Sequence, residues 1–118
     1  MLMVSRITPR QVVALMAKGE AVQFVDARGE PSWATAAEQV SGAVRVRLGS
    51  LHRDATQVSR GCQVVVYGAD DAEADVARVA DQLRVLGHAH VRILTGGFAA
   101  WRAEHGPVQR KEAPAATA

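Results

Sequence analysis

Four carboxylates crowd one short stretch of this chain, Asp70, Asp71, Glu73 and Asp75, and the first cation after them is Arg78. They follow the apolar run Gln63-Val64-Val65-Val66-Tyr67 and the turn residue Gly68. In α/β folds the strand-to-helix turn at the carboxyl end of a sheet is where ligands and nucleophiles are presented. Acids in that position could hold a divalent cation or receive a cationic or peptide ligand. They could also cap a helix, with Asp70 as the cap and Glu73 three residues further on, since acids favour a helix N-terminus. Capping is the reading the pattern favours. An entering oxyanion would meet like charge, about 4 kcal/mol per pair at ~4 Å for an effective dielectric of about 20. No Ser, Thr or Lys lies between Gly68 and Asp75, so none of those side chains can act as a nucleophile there.

Other residues could carry chemistry, each with a plainer alternative. Cys62 precedes the apolar run and should lie near the opposite end of that strand from Gly68, roughly 16–20 Å away at strand rise. An ordinary half-buried thiol is the simpler reading, because reactivity needs an electropositive setting. His88 and His90 could both ligate a metal, but no third ligand is near in sequence, and a surface turn accounts for them. Arg45 and Arg47 could form a basic stripe with Arg53 and Arg60 for an acidic partner, or simply a solvated strand face. Asp26 and Arg28 are expected to pair or cap beside the same rim. Trp101 is expected in the core, and Trp33 is expected to border the pocket.

The elements that must position these residues follow from pattern. Met3 to Ile7 reads as a short edge strand. Thr8-Pro9 opens a helix, with Val12, Val13, Leu15 and Met16 as its apolar stripe and Gly19 as its left-handed cap. Val22 to Val25 is a short strand. Pro31 opens a helical turn through Trp33 to about Glu38. Gly42 to Leu48 alternates apolar and basic residues, as a strand with one covered face does. Leu51 to Val58 reads as a short helix. The unbroken Val64-Val65-Val66 run suits a central strand covered on both sides. Ala72 to Leu86 is the longest helix, Val91 to Leu94 a last strand, and Phe98 to Glu104 a last helix. Strands alternating with helices predict a parallel sheet with helices on both faces, and right-handed crossovers put the loops after Val25, Tyr67 and Leu94 at one rim.

With 118 residues, 48% of them hydrophobic, the chain can bury the core of one domain without staples. A net charge of +2 indicates neither a nucleic-acid nor a membrane partner. The single cysteine excludes an internal disulfide and fits a reducing, cytoplasmic setting. No apolar run reaches the ~18 residues of a membrane span, and Met1 to Arg6 lacks the pattern of a secretory leader. Residues 1–107 read as the domain and residues 108–118, rich in Ala, Pro and Thr, as a flexible tail.

Several segments together resemble the rhodanese-like sulfurtransferase domain. Val25-Asp26-Ala27-Arg28 is similar to the Asp-X-Arg that ends an early strand of that family. Ser41-Gly42-Ala43-Val44 resembles its Pro-Gly-Ala-hydrophobic segment, and Val64-Val65-Val66-Tyr67 resembles the strand entering its active-site loop. Leu86-Gly87-His88-Ala89-His90-Val91 is similar to its helix exit and last strand. Leu94-Thr95-Gly96-Gly97-Phe98-Ala99-Ala100-Trp101 resembles its closing Gly-Gly-hydrophobic-X-X-Trp signature. The likeness runs from Ile7 to about Pro107. It implies a three-layer α/β/α domain with about five strands in a mainly parallel sheet.

The departures bear on function. Gly68 stands where the family places its persulfide-forming cysteine. Glu73 stands where many active members carry a basic or hydroxyl residue, although another subgroup has Glu near there. Glu38-Gln39 replaces the common Gly-His, and Ser41 replaces the Pro. The reading is therefore a catalytically inactive rhodanese-like domain, with no catalytic residue, no metal and no cofactor. It would bind or regulate a protein partner through the rim formed by Gly68, Ala69, Asp70, Asp71, Ala72 and Glu73 with Asp26, Arg28 and Trp33. The alternative is an active thiosulfate or persulfide sulfurtransferase that uses Cys62 or a partner's thiol. A third reading is a carboxylate- or metal-dependent hydrolase at Asp70 and Asp71.

Overall fold

A computed structural model of the protein describes residues 5–111. Met3 and Val4, the start of the expected edge strand, lie outside them. Strand β1 (Ser5–Ile7) leads into helix α1 (Pro9–Ala17) through a reciprocal cap. The Gln11 N–H donates to the Thr8 hydroxyl, and the Thr8 N–H donates to the Gln11 side chain. Two N–H groups at that helix end are thereby satisfied, and Pro9 at the first position has none to satisfy. Gly19, at φ 84, turns the chain out of α1 as expected. Then follow β2 (Val22–Asp26), α2 (Glu30–Thr35), β3 (Glu38–Val40), β4 (Val44–Arg45) and α3 (Leu51–Asp54). The second half comprises β5 (Gln63–Tyr67), α4 (Asp75–Val85), β6 (Val91–Leu94), α5 (Gly97–Ala103) and β7 (Val108–Arg110).

Five strands form the main sheet in the order β1-β6-β5-β2-β4, and every pairing is parallel. Strand β5 lies at its centre, which is why its valines need no polar alternation. Side chains alternate across a strand, so the run splits between two cores. Val64 and Val66 join Val25, Val46, Leu51, Val79 and Leu83 on the face covered by α3 and α4. Val65 and Tyr67 join Val12, Phe24, Leu94 and Trp101 on the face covered by α1 and α5. Trp101 is fully buried, stands edge-on to Phe24 with centroids 5.0 Å apart, and donates its indole N–H to the Pro107 carbonyl. Both faces are covered, giving the three layers that the sequence predicts.

Four boundaries differ from expectation, each because a distant contact outweighs local pattern. The helix opened by Pro31 ends at Thr35 rather than Glu38, because Glu38–Val40 pairs antiparallel with Val108–Arg110. The same pairing corrects the flexible tail, whose first three residues form β7; residues 112–118 lie outside the described ones. The alternating segment Gly42 to Leu48 pairs as a strand only at Val44–Arg45 before a 3₁₀ turn begins at Leu48. Helix α4 begins at Asp75 rather than Ala72, for the reason given below. Among the described residues, no helix is long and apolar enough to cross a membrane.

Candidate functional site

Strand β2 leads outward to β4, whereas β5, its neighbour in the sheet, leads the other way to β6. The loops that leave the carboxyl ends of β2 and β5 therefore diverge. A crevice opens between them at the topological switch point, where open α/β sheets bind their ligands. Residues 27–30 form one wall and residues 68–74 the other. The Ala27 N–H donates to the Tyr67 carbonyl at 2.9 Å, so the walls start side by side.

Glu73 closes this crevice. One carboxylate oxygen, Oε1, accepts from the Ala69 N–H at 3.0 Å, and the other, Oε2, accepts from the Gly29 N–H at 2.8 Å. The side chain thus spans both walls and satisfies two N–H groups of the kind that would cradle an incoming anion. It also crowds Gly68, which is buried. A Cβ built on Gly68 would lie 2.6 Å from Val76 Cγ2 and 2.9 Å from Glu73 Cβ. On the other side of the Gly68 loop, toward β1 and β6, lies a small cavity of about 150 Å³ edged by Arg6, Asp70, Asp71, Glu73, Ile93 and Leu94.

The other acids serve the same loop. Asp70 Oδ1 accepts from the Ala72 N–H at 2.8 Å, and Asp71 Oδ1 accepts from the Gly96 N–H at 2.7 Å and from Arg6. The expected helix cap at Asp70 is therefore corrected. Residue 74 precedes α4 with no side-chain cap bond, because these carboxylates saturate N–H groups inside the loop and the helix starts only after them. From the other side, the Phe98 and Ala99 N–H groups donate to the Gly68 and Ala69 carbonyls at 2.8 and 3.0 Å. Gly97 permits this approach: at φ 59, a Cβ there would sit 2.5 Å from the Gly68 carbonyl oxygen. Replacing Glu73 with Ala is expected to cost about 1.5–3 kcal/mol, the range for hydrogen bonds to a charged acceptor. Amide exchange should accelerate most at Gly29 and Ala69, and hydrogen-exchange NMR reads both. Unchanged protection at those two amides would contradict the closure.

Asp26 and Arg28 pair beneath the crevice floor, 1% and 2% exposed. Arg28 Nε donates to both Asp26 oxygens at 3.1 Å, and its terminal nitrogen reaches Oδ2 at 2.6 Å and the Glu38 carbonyl at 2.9 Å. The Tyr67 hydroxyl donates to Asp26 at 2.9 Å and accepts from the Val40 N–H. Burial, and then the neighbouring Asp26 charge, raise the Tyr67 pKa well above its ordinary value, so the phenol keeps its proton. The Arg28 guanidinium lies 4.7 Å from the Phe98 ring centroid. This network ties β2, β3, β5 and α5 together.

Trp33 does not edge the Gly68 cavity. It is held between Arg45, 5.1 Å from its ring centroid, and Lys111, at 3.8 Å. Lys111 also donates to the Trp33 carbonyl. Cys62 lies at the amino end of β5, opposite Gly68, packed against the core with Sγ 3.5 Å from the Ser59 carbonyl. His88 is buried and His90 exposed, so the two imidazoles do not face one site. The described residues hold no cluster of three His, Cys, Asp or Glu side chains able to bind a metal.

A second cavity, about 310 Å³, opens between residues 27–30, residues 45–53 and the start of α4. Arg28, Arg45, Arg47 and Arg53 line it, with Glu30 and Asp75 as its acids. Asp54 braces one wall, accepting from the Arg47 N–H at 2.9 Å and the Ser50 hydroxyl at 2.7 Å. Burial alone would raise the Asp54 pKa, but these donors and the Arg47 side chain hold it below the usual carboxylate value. The arginine alternation of β4 was visible in the sequence. Its grouping with Arg53 reads there as a stripe, and that the three form a cleft depends on the fold of residues 48–54. Arg60 belongs elsewhere, donating to the Leu86 carbonyl.

Over residues 8–104 the chain matches the rhodanese-like domain. The crystal structure of the Alr3790 protein from Anabaena sp. is similar at 27% identity, with a TM-score of 0.70, over 87% of this chain and 90% of that one. The solution structure of the rhodanese-like domain of that Anabaena protein gives 26% identity and a TM-score of 0.70, over 96% and 88%. A Rhodopseudomonas palustris protein of unknown function, given as a possible tyrosine phosphatase, shares the fold at 23% identity and a TM-score of 0.69, over 90% and 85%. No curated protein matches the chain.

Proposed function

The chain belongs to the rhodanese-like domain family, and we propose that it is a member that binds and regulates without transferring sulfur. The observation that carries this reading is the Glu73 carboxylate lodged across the switch-point crevice beside a side-chain-free Gly68. Sulfur transfer needs a thiolate that accepts a sulfane sulfur and then surrenders it to a second nucleophile. Gly68 supplies no sulfur. The N–H groups of Ala69 and Gly29, which could stabilise an anionic sulfur, already hold Glu73.

The contact surface in this reading is the carboxyl rim, from residues 68–73 across to the segment that follows Asp26. Asp26 and Arg28 support it from below. A protein partner reading exposed Asp70 and Asp71 would itself be basic there. A lone free thiol suits a reducing compartment, so the cytoplasm is the proposed location. The competing sulfurtransferase reading needs either a partner's thiol or Cys62, and Cys62 would have to act from the opposite end of β5, which counts against it. A thiosulfate–cyanide assay on the protein and on Cys62→Ser separates the two. No turnover in either is expected, and turnover abolished by Cys62→Ser would overturn the proposal.

A further inference from the structure

The arginine-lined cavity offers what the Gly68 crevice withholds. Arg45 reaches it from the end of β4, Arg47 from the residue pair beyond, and Arg53 from α3, so three guanidinium groups approach one space from separate elements. Arg45 is only 18% exposed and leans on the Trp33 ring, and its Nε is buried with no acceptor. Of its two terminal nitrogens, Nη1 donates to the Asp26 carbonyl at 3.1 Å, and Nη2 faces only the Glu30 carboxylate, 3.8 Å away. Burial, the largest influence, lowers the Arg45 pKa, although Asp26 and Glu30 oppose it. A partly desolvated guanidinium whose Nη2 makes no hydrogen bond is a good receptor for an oxyanion.

The acids of this cavity leave room for one. Asp54 is committed to Arg47, Ser50 and, at 3.8 Å, Arg53. Glu30 stands across from Arg45 and Arg47 at 3.8 and 4.0 Å, too far for hydrogen bonds, and is 63% exposed. A carboxylate so loosely held is a mobile stand-in for a stronger ligand. The remaining acid, Asp75, lines the edge at the start of α4.

We propose that this cleft binds an oxyanion, a phosphate or carboxylate group carried by a small molecule, through Arg45, Arg47 and Arg53, with Glu30 as the displaceable occupant. The proposal goes beyond the rim contact given above and concerns the neighbouring arginine-lined cleft. A volume of about 310 Å³ lies at the lower end of ligand pockets, roughly 300–1,000 Å³, whereas the Gly68 cavity at about 150 Å³ falls below that range. The cleft itself holds a compact oxyanion group, and a neighbouring cavity of about 630 Å³ shares its Leu48, Gly49, Ser50 and Arg53.

Titration of the whole protein with inorganic phosphate and, separately, with acetate at low salt tests this by NMR. Saturable shifts should centre on Arg45, Arg47, Gly49 and Ser50 and fade as salt rises. A response to phosphate shows that the cleft accepts a phosphoryl group, and a response to acetate alone a carboxylate. Glu30→Gln should tighten binding about threefold or more, and Arg47→Gln, on an exposed side chain, should weaken it about as much. Tighter binding on removing Glu30 is a readout that a merely structural arginine cluster would not give. No saturable shift with either probe in the protein or in Glu30→Gln would overturn the proposal, as would equal affinity in Arg47→Gln. The readout is independent of sulfur turnover, so its failure removes this cleft alone and leaves the non-catalytic reading to its own assay.

Discussion

Arg28→Met is expected to destabilise the protein by about 3–5 kcal/mol, the range for removing one partner of a buried ion pair. The reason is the carboxylate left behind. Asp26 is 1% exposed and would keep only the Tyr67 hydroxyl and the Arg28 N–H as close donors. Methionine fills much of the volume, so the loss is electrostatic rather than a cavity. The Glu38 carbonyl would also lose its donor, loosening β3 and with it β7. For a domain of this size each kcal/mol moves Tm by about 4–8 °C, so a shift beyond roughly 12 °C is expected. The double variant Asp26→Asn with Arg28→Met should cost less than the sum of the two, because no buried charge then remains unpaired. Urea unfolding of the four proteins measures this, and a single-variant loss below about 1 kcal/mol would contradict the pairing argument.

Gly68→Cys is the second large effect, and it too is a loss. Family resemblance invites this change as a restoration. The geometry opposes it, since the new Cβ would fall 2.6 Å from Val76 Cγ2 and 2.9 Å from Glu73 Cβ. Overpacking of this kind costs about 1–3 kcal/mol. Any thiol that is accommodated would stand among Asp70, Asp71 and Glu73, and like charge raises a thiol pKa. The variant should therefore be less stable and show no sulfurtransferase activity. Adding Val76→Ala and Glu73→Ala should recover part of the packing loss. The rate of thiol alkylation against pH tests the electrostatic half: an apparent pKa well below ~8.5 would count against it.

Much of the scaffold was readable without coordinates. Gln63 to Tyr67 announced a central strand because three valines in a row have no solvent-facing alternate, and β5 is indeed paired on both edges. Gly19 and Gly87 marked helix ends, and both take the positive φ that such caps need. The crevice location followed as well, because parallel topology dictates which ends of the strands share a rim. Local pattern failed where a partner distant in sequence decides the conformation. Glu38-Gln39-Val40 becomes a strand only because Val108-Gln109-Arg110 returns to pair with it, about seventy positions later. Neither segment announces the other.

The site itself was half legible. The acids after Gly68 were correctly read as backbone acceptors, but they cap the loop instead of the helix, and no spacing rule distinguishes those uses. That Glu73 also reaches Gly29, across a gap of 44 positions, is visible only in three dimensions. Trp33 was placed at the crevice from its nearness to Arg28 in sequence, and the returning Lys111 and the neighbouring Arg45 hold it elsewhere. The arginines were noted as a stripe, and only the turn built around Asp54 makes them a cleft.

Intact-mass spectrometry of the protein after incubation with thiosulfate, before and after mild reduction, addresses the core of this account most directly. With the crevice sealed by Glu73 and no thiol at residue 68, the mass should stay that of the unmodified chain. A reducible gain of one sulfur atom, mapped to Cys62, would contradict it.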